Sequence, residues 1–285
     1  MKHRPVDINS VRSRLQAAPT GAPKRTAASR VLSLLDAFGD RGEPMTLSDI
    51  ARRADLSLTT THRLAHEVLE WGGLDVDEDG RYRLSRKILA LASASTEDLR
   101  IRELALPHLV ELHQRTGLTV NLSVREADDV MYLEALRAHP NYTGQNRIGG
   151  RLPLHATATG LVLLAYADAE EQDEYLTKPL KRYTERTCAR PEDLRATFER
   201  GRRDGFIRTD GALAPGAGSL GAPVPDATGT VDVAVGAIYS LKNPEPHCLA
   251  DLVRATAHRI SRARIERPTL DQRTIRFNRV QAGLA

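Results

Sequence analysis

Between residues 27 and 71, apolar positions recur in three short bursts at helical spacing. Val31, Leu34, Leu35 and Phe38 make the first, which stops at Gly39. Leu47, Ile50, Ala51 and Ala54 make the second, begun by Thr46 or Ser48. Leu58, Thr61, Leu64, Ala65 and Val68 form the inner face of a third, running from Ser57 to Trp71 and closed by Gly72-Gly73. The period then changes. Leu74 to Val76 and Arg81 to Leu84 are short alternating runs on either side of Asp79-Gly80, a hairpin signal. Three helices followed by a hairpin is the order of a winged helix-turn-helix, in which the third helix enters the DNA major groove.

The third helix opens with an unusual choice of residues, Ser57-Leu-Thr-Thr-Thr-His-Arg. Thr is a mediocre helix former, so local stability does not select three of them. One reading is a solvated first turn behind a Ser57 N-cap. The other follows from position, because the N-terminal end of a recognition helix contacts base edges and its free N–H groups favour phosphate. Thr59, Arg63 and His66 are spaced to share one face, with Thr60 beside them, while Thr61 turns inward. Thr can bond phosphate or a base edge, and Arg is the natural bidentate partner of guanine. Residues 46–84 nevertheless carry five arginines against eight acids, with Asp75, Asp77, Glu78 and Asp79 at the wing tip. That tip is a poor phosphate clamp, and Arg81 and Arg83 on the second wing strand are better candidates.

A long helical connection is expected from Arg86 to about Arg115, with Pro107 either kinking it or starting a new helix. Beyond it, "TVNLSVRE" and "DVMYLEAL" read as paired strands and "ATATGLVLLAYA" as a helix. "PEDLRATFERGRRDG" reads as a helix closed by Gly205, "VDVAVGAIYS" as a buried strand, and "LADLVRATAHRISRARI" as a terminal amphipathic helix. Strand pairs mixed with helices imply an α+β domain on an antiparallel sheet. The expected organisation is a basic arm at 1–26, a winged helix at 27–85, a helical linker at 86–98, an α+β domain at 99–265 and a basic tail at 266–285.

At 285 residues, 41% hydrophobic and 27% charged, the chain is long enough for two soluble domains. No apolar run approaches the roughly 18 residues of a membrane span, and the basic N-terminus lacks an apolar region after it, so a cytoplasmic protein is expected. The net charge of +4 is unevenly spread: +6 over residues 1–30, +5 over 259–285, and −7 between. Both ends could touch phosphate, or could simply be solvated. The first 26 residues, with Pro5, Pro19, Gly21 and Pro23, read as a disordered arm.

Catalytic and metal motifs are weak. Gly216-Ala-Gly218-Ser-Leu-Gly221 spells G-x-G-x-x-G, but Pro215 precedes it and Pro223 and Pro225 follow, which forbids the helix that a dinucleotide fingerprint or a Ser219 nucleophile elbow requires. His155 has no Asp, Glu or Cys at useful spacing and reads as a packed, satisfied histidine. His108 and His113 are five apart and lack the glutamate of a zinc helix. Cys188 and Cys248 show no metal-ligand spacing. No catalytic residue, cofactor or metal is expected.

Three segments together resemble the IclR family of bacterial transcriptional regulators over residues 27 to about 264. They are "LSDIARRADLSLTTTHRLAHEVLEWGGLDVDEDGRYRLS", "IGGRLPLHATATGLVLLA" and "DGALAPGAGSLGAPVPDATGTVDVAVGA". The resemblance implies a homodimer or homotetramer that binds double-stranded operator DNA through its winged helices, and a GAF-like domain that holds a small effector, often a carboxylate. With the family's recognition helix as a guide, the DNA-binding candidates are Thr46, Ser57, Thr59, Thr60, His62, Arg63, His66, Arg81 and Arg83. The family's effector cavity maps here onto Ile148, Gly149, Leu152, Ala158, Thr159, Thr209, Ser219, Gly236 and Ile238. Three departures stand out: Asp55 where the family usually has Gly, Leu161 for a usual Lys, and Ala212 for a usual Glu. Gly236 and Ile238 occupy positions where serines can occur, which suggests a larger or more apolar ligand such as an aromatic or longer-chain acid. Two alternatives remain open: an enzyme acting on a small acid through His155 and Ser219, and a non-specific DNA-binding protein relying on its basic ends.

Overall fold

Capping side chains set the helix boundaries of the N-terminal unit. The computed structural model describes residues 26–39, 43–93, 96–138, 147–243 and 248–266; the arm expected before residue 26 and the tail expected after residue 266 lie outside them. Thr26 caps α1 (Ala27–Asp36) by accepting the Ser29 N–H, and Thr46 caps α2 (Leu47–Ala54) by accepting the Asp49 N–H. α2 stops at Asp55, whose φ of 53° is left-handed, a conformation that Asp visits more readily than most residues. Ser57 then caps α3 (Leu58–Trp71), and Gly72, at φ 84°, ends it. β1 (Leu74–Val76) and β2 (Tyr82–Leu84) pair antiparallel as the wing, and Asp77 accepts the N–H groups of Asp79 and Arg81 to shape its turn. Leu34, Phe38, Ile50, Leu64, Val68 and Leu74 fill the core of this unit.

Two expectations need correction. Leu58, expected on the inner face of α3, is 52% exposed, because the first turn of that helix projects past the core that Thr61, Leu64, Ala65 and Val68 enter. The single long connection from Arg86 is also two helices, α4 (Arg86–Ala92) and α5 (Thr96–Thr116). Pro107 lies inside α5 and does not end it.

The chain divides into two compact units between Leu89 and Ala90. The second is built on a six-stranded antiparallel sheet in the order β5-β4-β3-β8-β7-β6. The strands are β3 (Thr119–Glu126), β4 (Asp129–Leu136), β5 (Arg151–Pro153), β6 (Ile207–Asp210), β7 (Ala217–Val224) and β8 (Val233–Ser240). Alternation along them separates two cores. Val120, Leu122, Leu220, Ala222, Val233, Val235 and Ala237 pack under α5 and the C-terminal helix α9 (Leu249–Ile265). The opposite face packs under α6 (Ala158–Ala165), α7 (Ala169–Thr177) and α8 (Pro191–Asp204) through Leu161, Leu164, Leu176, Leu194 and Phe198. The result is a helix–sheet–helix sandwich of the α+β class. "AGSLGAPV", the segment carrying the glycine motif, is strand β7, and no helix follows it directly.

Candidate DNA-reading face and effector site

In α3 the Ser57 hydroxyl accepts the Thr60 N–H at 3.2 Å and donates to Thr60 Oγ1 at 2.8 Å, so Thr60 belongs partly to the cap. Thr61 is fully buried, and its hydroxyl donates to the Ser57 carbonyl. Thr59, His62, Arg63 and His66 are all exposed and, by their spacing, form one outward stripe. The stripe is lined with acids: Arg63 Nη1 lies 2.5 Å from Glu67 Oε1, and His66 Nδ1 lies 3.5 Å from Glu70 Oε1. Thr46 is exposed at the start of α2, where it donates to Asp49 at 2.7 Å; that bond holds the Asp49 carboxyl below its ordinary pKa. On the wing, Arg81 is exposed and Arg83 lies 3.8 Å from Asp75. A shallow depression at the start of α3 is lined by Arg30, Asp55, Leu56, Ser57 and Thr60. Arg30, on α1, is not among the sequence candidates; it lines this depression only because the fold brings α1 beside the N-terminus of α3.

In the sheet unit, several effector candidates converge by register. Thr209, Ser219 and Ile238 occupy one row across β6, β7 and β8, and Thr119 of β3 completes it. The next row contains Asn121, Gly236 and Gly221. Ala158 and Thr159, opening α6, lie against those glycines: a Cβ on Gly221 would fall 2.9 Å from the Thr159 nitrogen. Thr209 and Ser219 hydroxyls are 2.8 Å apart, and Ser219 Oγ accepts the Ala158 N–H at 3.3 Å. Thr157 caps α6 by accepting the Gly160 N–H. The N–H of Thr159 has no acceptor among the described residues. This corner therefore offers a helix N-terminus with an open donor, two hydroxyls and the apolar Ile238, which can hold an anionic group attached to an apolar body.

The remaining candidates are placed differently. Gly149, at φ 74°, donates its N–H to the Tyr132 carbonyl, and Ile148 beside it is exposed. Leu152, on β5, packs in the core with Val130, Tyr132, Leu154 and Leu161. Sequence reading missed the polar face of β3, where Thr119, Asn121 and Ser123 are all buried. Their strict alternation with Val120 and Leu122 was the available signal, because a strand buried on both faces has little reason to keep three polar residues unless they bond something.

His155 is 4% exposed and fully engaged. Its Nε2 lies 2.9 Å from the Lys181 carbonyl and must donate to it, leaving Nδ1 to accept from the Tyr175 hydroxyl at 2.8 Å. Burial pushes the Tyr175 phenol up to about 12, so it remains a donor. Among the described residues there is no cluster of three His, Cys, Asp or Glu able to hold a metal, and no helix is long and apolar enough to cross a membrane.

A winged helix-turn-helix followed by an α+β domain on an antiparallel sheet is the architecture of a two-domain DNA-binding regulator. Residues 27–78 match the IclR helix-turn-helix domain, and residues 93–262 match the C-terminal domain of bacterial IclR transcriptional regulators. The chain belongs to the IclR family, and it is a DNA-binding transcriptional regulator under the control of a small-molecule effector. It is 31% identical to the Pca regulon regulatory protein of Pseudomonas putida over 80% of this chain and 78% of that one. It is 29% identical to the p-hydroxybenzoate hydroxylase transcriptional activator of Acinetobacter baylyi, over 80% of this chain and 88% of that protein. Among solved structures, an IclR homolog complexed with 4-hydroxybenzoate from Microbacterium hydrocarbonoxydans superposes with a TM-score of 0.76 at 34% identity, covering 84% of this chain and 98% of that one.

Proposed function

We propose that the protein reads an operator with the outward stripe of α3 and is controlled by an aromatic acid held at the N-terminus of α6. The DNA half of the proposal is carried by Thr59, His62, Arg63 and His66, which are exposed together on the face opposite the buried Thr61 and Leu64. Arg63 and Thr59 contact base edges. Ser57, Thr60 and Arg30 flank the depression that receives a phosphate, Thr46 stands at the start of the preceding helix, and Arg81 and Arg83 reach the backbone from the wing. The acid half is supported by the open Thr159 N–H beside the Thr209–Ser219 hydroxyl pair, with Ile238 between that corner and Asn121. A relative solved with 4-hydroxybenzoate supports this ligand class, and another relative is the transcriptional activator for p-hydroxybenzoate hydroxylase.

A two-half-site operator requires at least a dimer, and the exposed Leu89 and Leu91 of α4 suit a homo-oligomer in which that helix is covered by a second copy. On this reading the protein works in the cytoplasm as a regulator and not as an enzyme, and His155 has a structural role, tethering the Lys181 carbonyl and the Tyr175 hydroxyl. Binding of a duplex from the protein's own promoter, followed by fluorescence anisotropy at about 150 mM salt, tests the DNA reading. Thr60→Ala combined with Arg63→Ala should abolish specific binding while thermal stability and ligand binding persist. Equal affinity of the wild type for promoter-derived and random duplexes would favour non-specific binding instead.

A further inference from the structure

We infer that Asn121 reads a polar substituent at the end of the effector remote from its acid group, so that the site measures the length of its ligand. The inference rests on the reading of the α6 N-terminus as the acid-holding corner. Asn121 is 2% exposed, on the face of β3 turned toward α6. A carboxamide has two donor hydrogens and a carbonyl to satisfy, and burying it without partners is unfavourable. One partner is visible: the Ser123 hydroxyl, 3.0 Å from Oδ1. Among the described residues no acceptor takes the amide N–H groups. The described side-chain polar atoms that are both unpaired and wholly sealed are four arginine nitrogens, and the Asn121 nitrogen is not one of them. An unpaired atom that is not sealed, on a residue this buried, is open to a small polar group placed beside it.

Gly236 explains where the amide lies. It pairs directly with Asn121, and a Cβ there would fall 2.8 Å from Asn121 Oδ1, 3.3 Å from Nδ2 and 2.6 Å from Thr159 Cγ2. The amide therefore lies over the backbone of β8, in the room left by the missing side chain. Ser219 stands on β7, two strands from β3, a separation of about 10 Å across the sheet. The Thr159 N–H is on the same side as Ser219, since it lies against Gly221 of β7. A flat ligand with its carboxylate at Thr159 and Ser219 would lie along Ile238, beside the filled position over Gly236, and bring a substituent on its far end to Asn121. A ring acid with a hydroxyl or carbonyl para to the carboxylate has that shape. An ortho isomer places both polar groups at one end and leaves the amide unpaired.

Isothermal titration of the full-length protein with benzoate and with 2-, 3- and 4-hydroxybenzoate tests this. The wild type should bind the 4-hydroxy acid roughly tenfold tighter than benzoate or the 2-hydroxy isomer, the worth of one buried hydrogen bond. In Asn121→Leu and in the smaller Asn121→Ala the ratio of those affinities should fall to about one, with the thermal melt of the sheet unit and retained benzoate binding reporting that each variant is folded. A para preference that survives both substitutions overturns the role of Asn121 and leaves the acid corner standing. If no member of the panel binds the wild type, the aromatic-acid reading and this inference fall together.

Discussion

Gly236 and Thr159 touch so closely that the sheet cannot accept even a methyl group between them: an added Cβ would lie 2.6 Å from Thr159 Cγ2. Gly236→Ala must therefore push α6 away or turn Asn121 aside. Overpacking of this kind costs about 1–3 kcal/mol. The expected result is a lower Tm for the sheet domain and a larger loss of ligand affinity than of stability, because the displaced groups are the ones proposed to meet the ligand. Gly216→Ala is the matched control. Nothing lies within 4 Å of a Cβ there, so stability and binding should stay unchanged. Equal behaviour of the two variants would separate Gly236 from the site.

Arg63 is held by Glu67 on the free protein, but both partners are more than half exposed. An exposed helix pair of this kind is worth only about 0.3–0.5 kcal/mol, so Arg63 can leave it when a guanine or phosphate is offered. Glu67 itself then faces DNA as a like charge. Glu67→Gln should tighten operator binding a few-fold at about 100 mM salt, whereas Arg63→Ala should weaken it by about 1–3 kcal/mol. Weaker binding in Glu67→Gln would mean that the carboxylate orients Arg63 for recognition and does not merely compete with DNA.

The N-terminal unit was legible because each of its signals is local. Thr46, Ser57 and Gly72 mark helix ends by their own side chains or lack of one, and Thr61 declares its burial by helical spacing. In the sheet unit the helices α6, α8 and α9 were legible, but among the strands only the long ones, β3, β4 and β8. β7 was hidden by its glycines and proline, which lower strand propensity; Gly221 is there for a tertiary reason, since it makes way for Ala158 and Thr159, which are 63 and 62 residues earlier in the chain. α7, with one apolar turn at Tyr175 and Leu176, has too little buried face to stand out. The resemblance supplied Thr209, Ser219, Gly236 and Ile238; the register of β6, β7 and β8 explains why they converge. Asn121 escaped because alternation was read as a mark of a strand, and its buried polar half was not read as a mark of a site.

Glu134 owes its burial to an irregularity in the sheet. Leu122 pairs with Glu134 while Ser123 pairs with Tyr132, so Leu133 is an extra residue and Glu134 turns toward α5. There its carboxylate meets Arg102 at 2.8 Å and accepts the Ala135 N–H at 2.9 Å. Arg102→Met would leave a buried carboxylate without its counter-charge, a change expected to destabilise the domain by roughly 3–5 kcal/mol. Adding Glu134→Leu should recover most of that loss. Urea unfolding of both single variants and the double variant measures the coupling, and an additive result would show that the pair contributes nothing as a pair.

His155 acts at a distance through the segment it anchors. Its ring bonds the Lys181 carbonyl, and a few residues further on the hydroxyls of Thr184 and Thr187 each donate at 2.6 Å to the Gly211 and Ala212 carbonyls, directly after Thr209. Loosening one end of this chain of bonds should therefore disturb the other. His155→Phe keeps a ring in place but strands the Tyr175 hydroxyl and the Lys181 carbonyl, each at a cost of about 1–3 kcal/mol. Tyr175→Phe removes both bonds of that hydroxyl, to His155 Nδ1 and from the His155 N–H, but keeps the bond to the Lys181 carbonyl. Ligand affinity should fall in both variants in the same order as stability, while operator binding without ligand holds, since the DNA-reading residues lie in the other unit. Titration calorimetry beside thermal melts checks that ordering. The wild type decides for or against catalysis: a regulator leaves its ligand unchanged, whereas turnover of the ligand by the wild type would make the sensory reading incomplete.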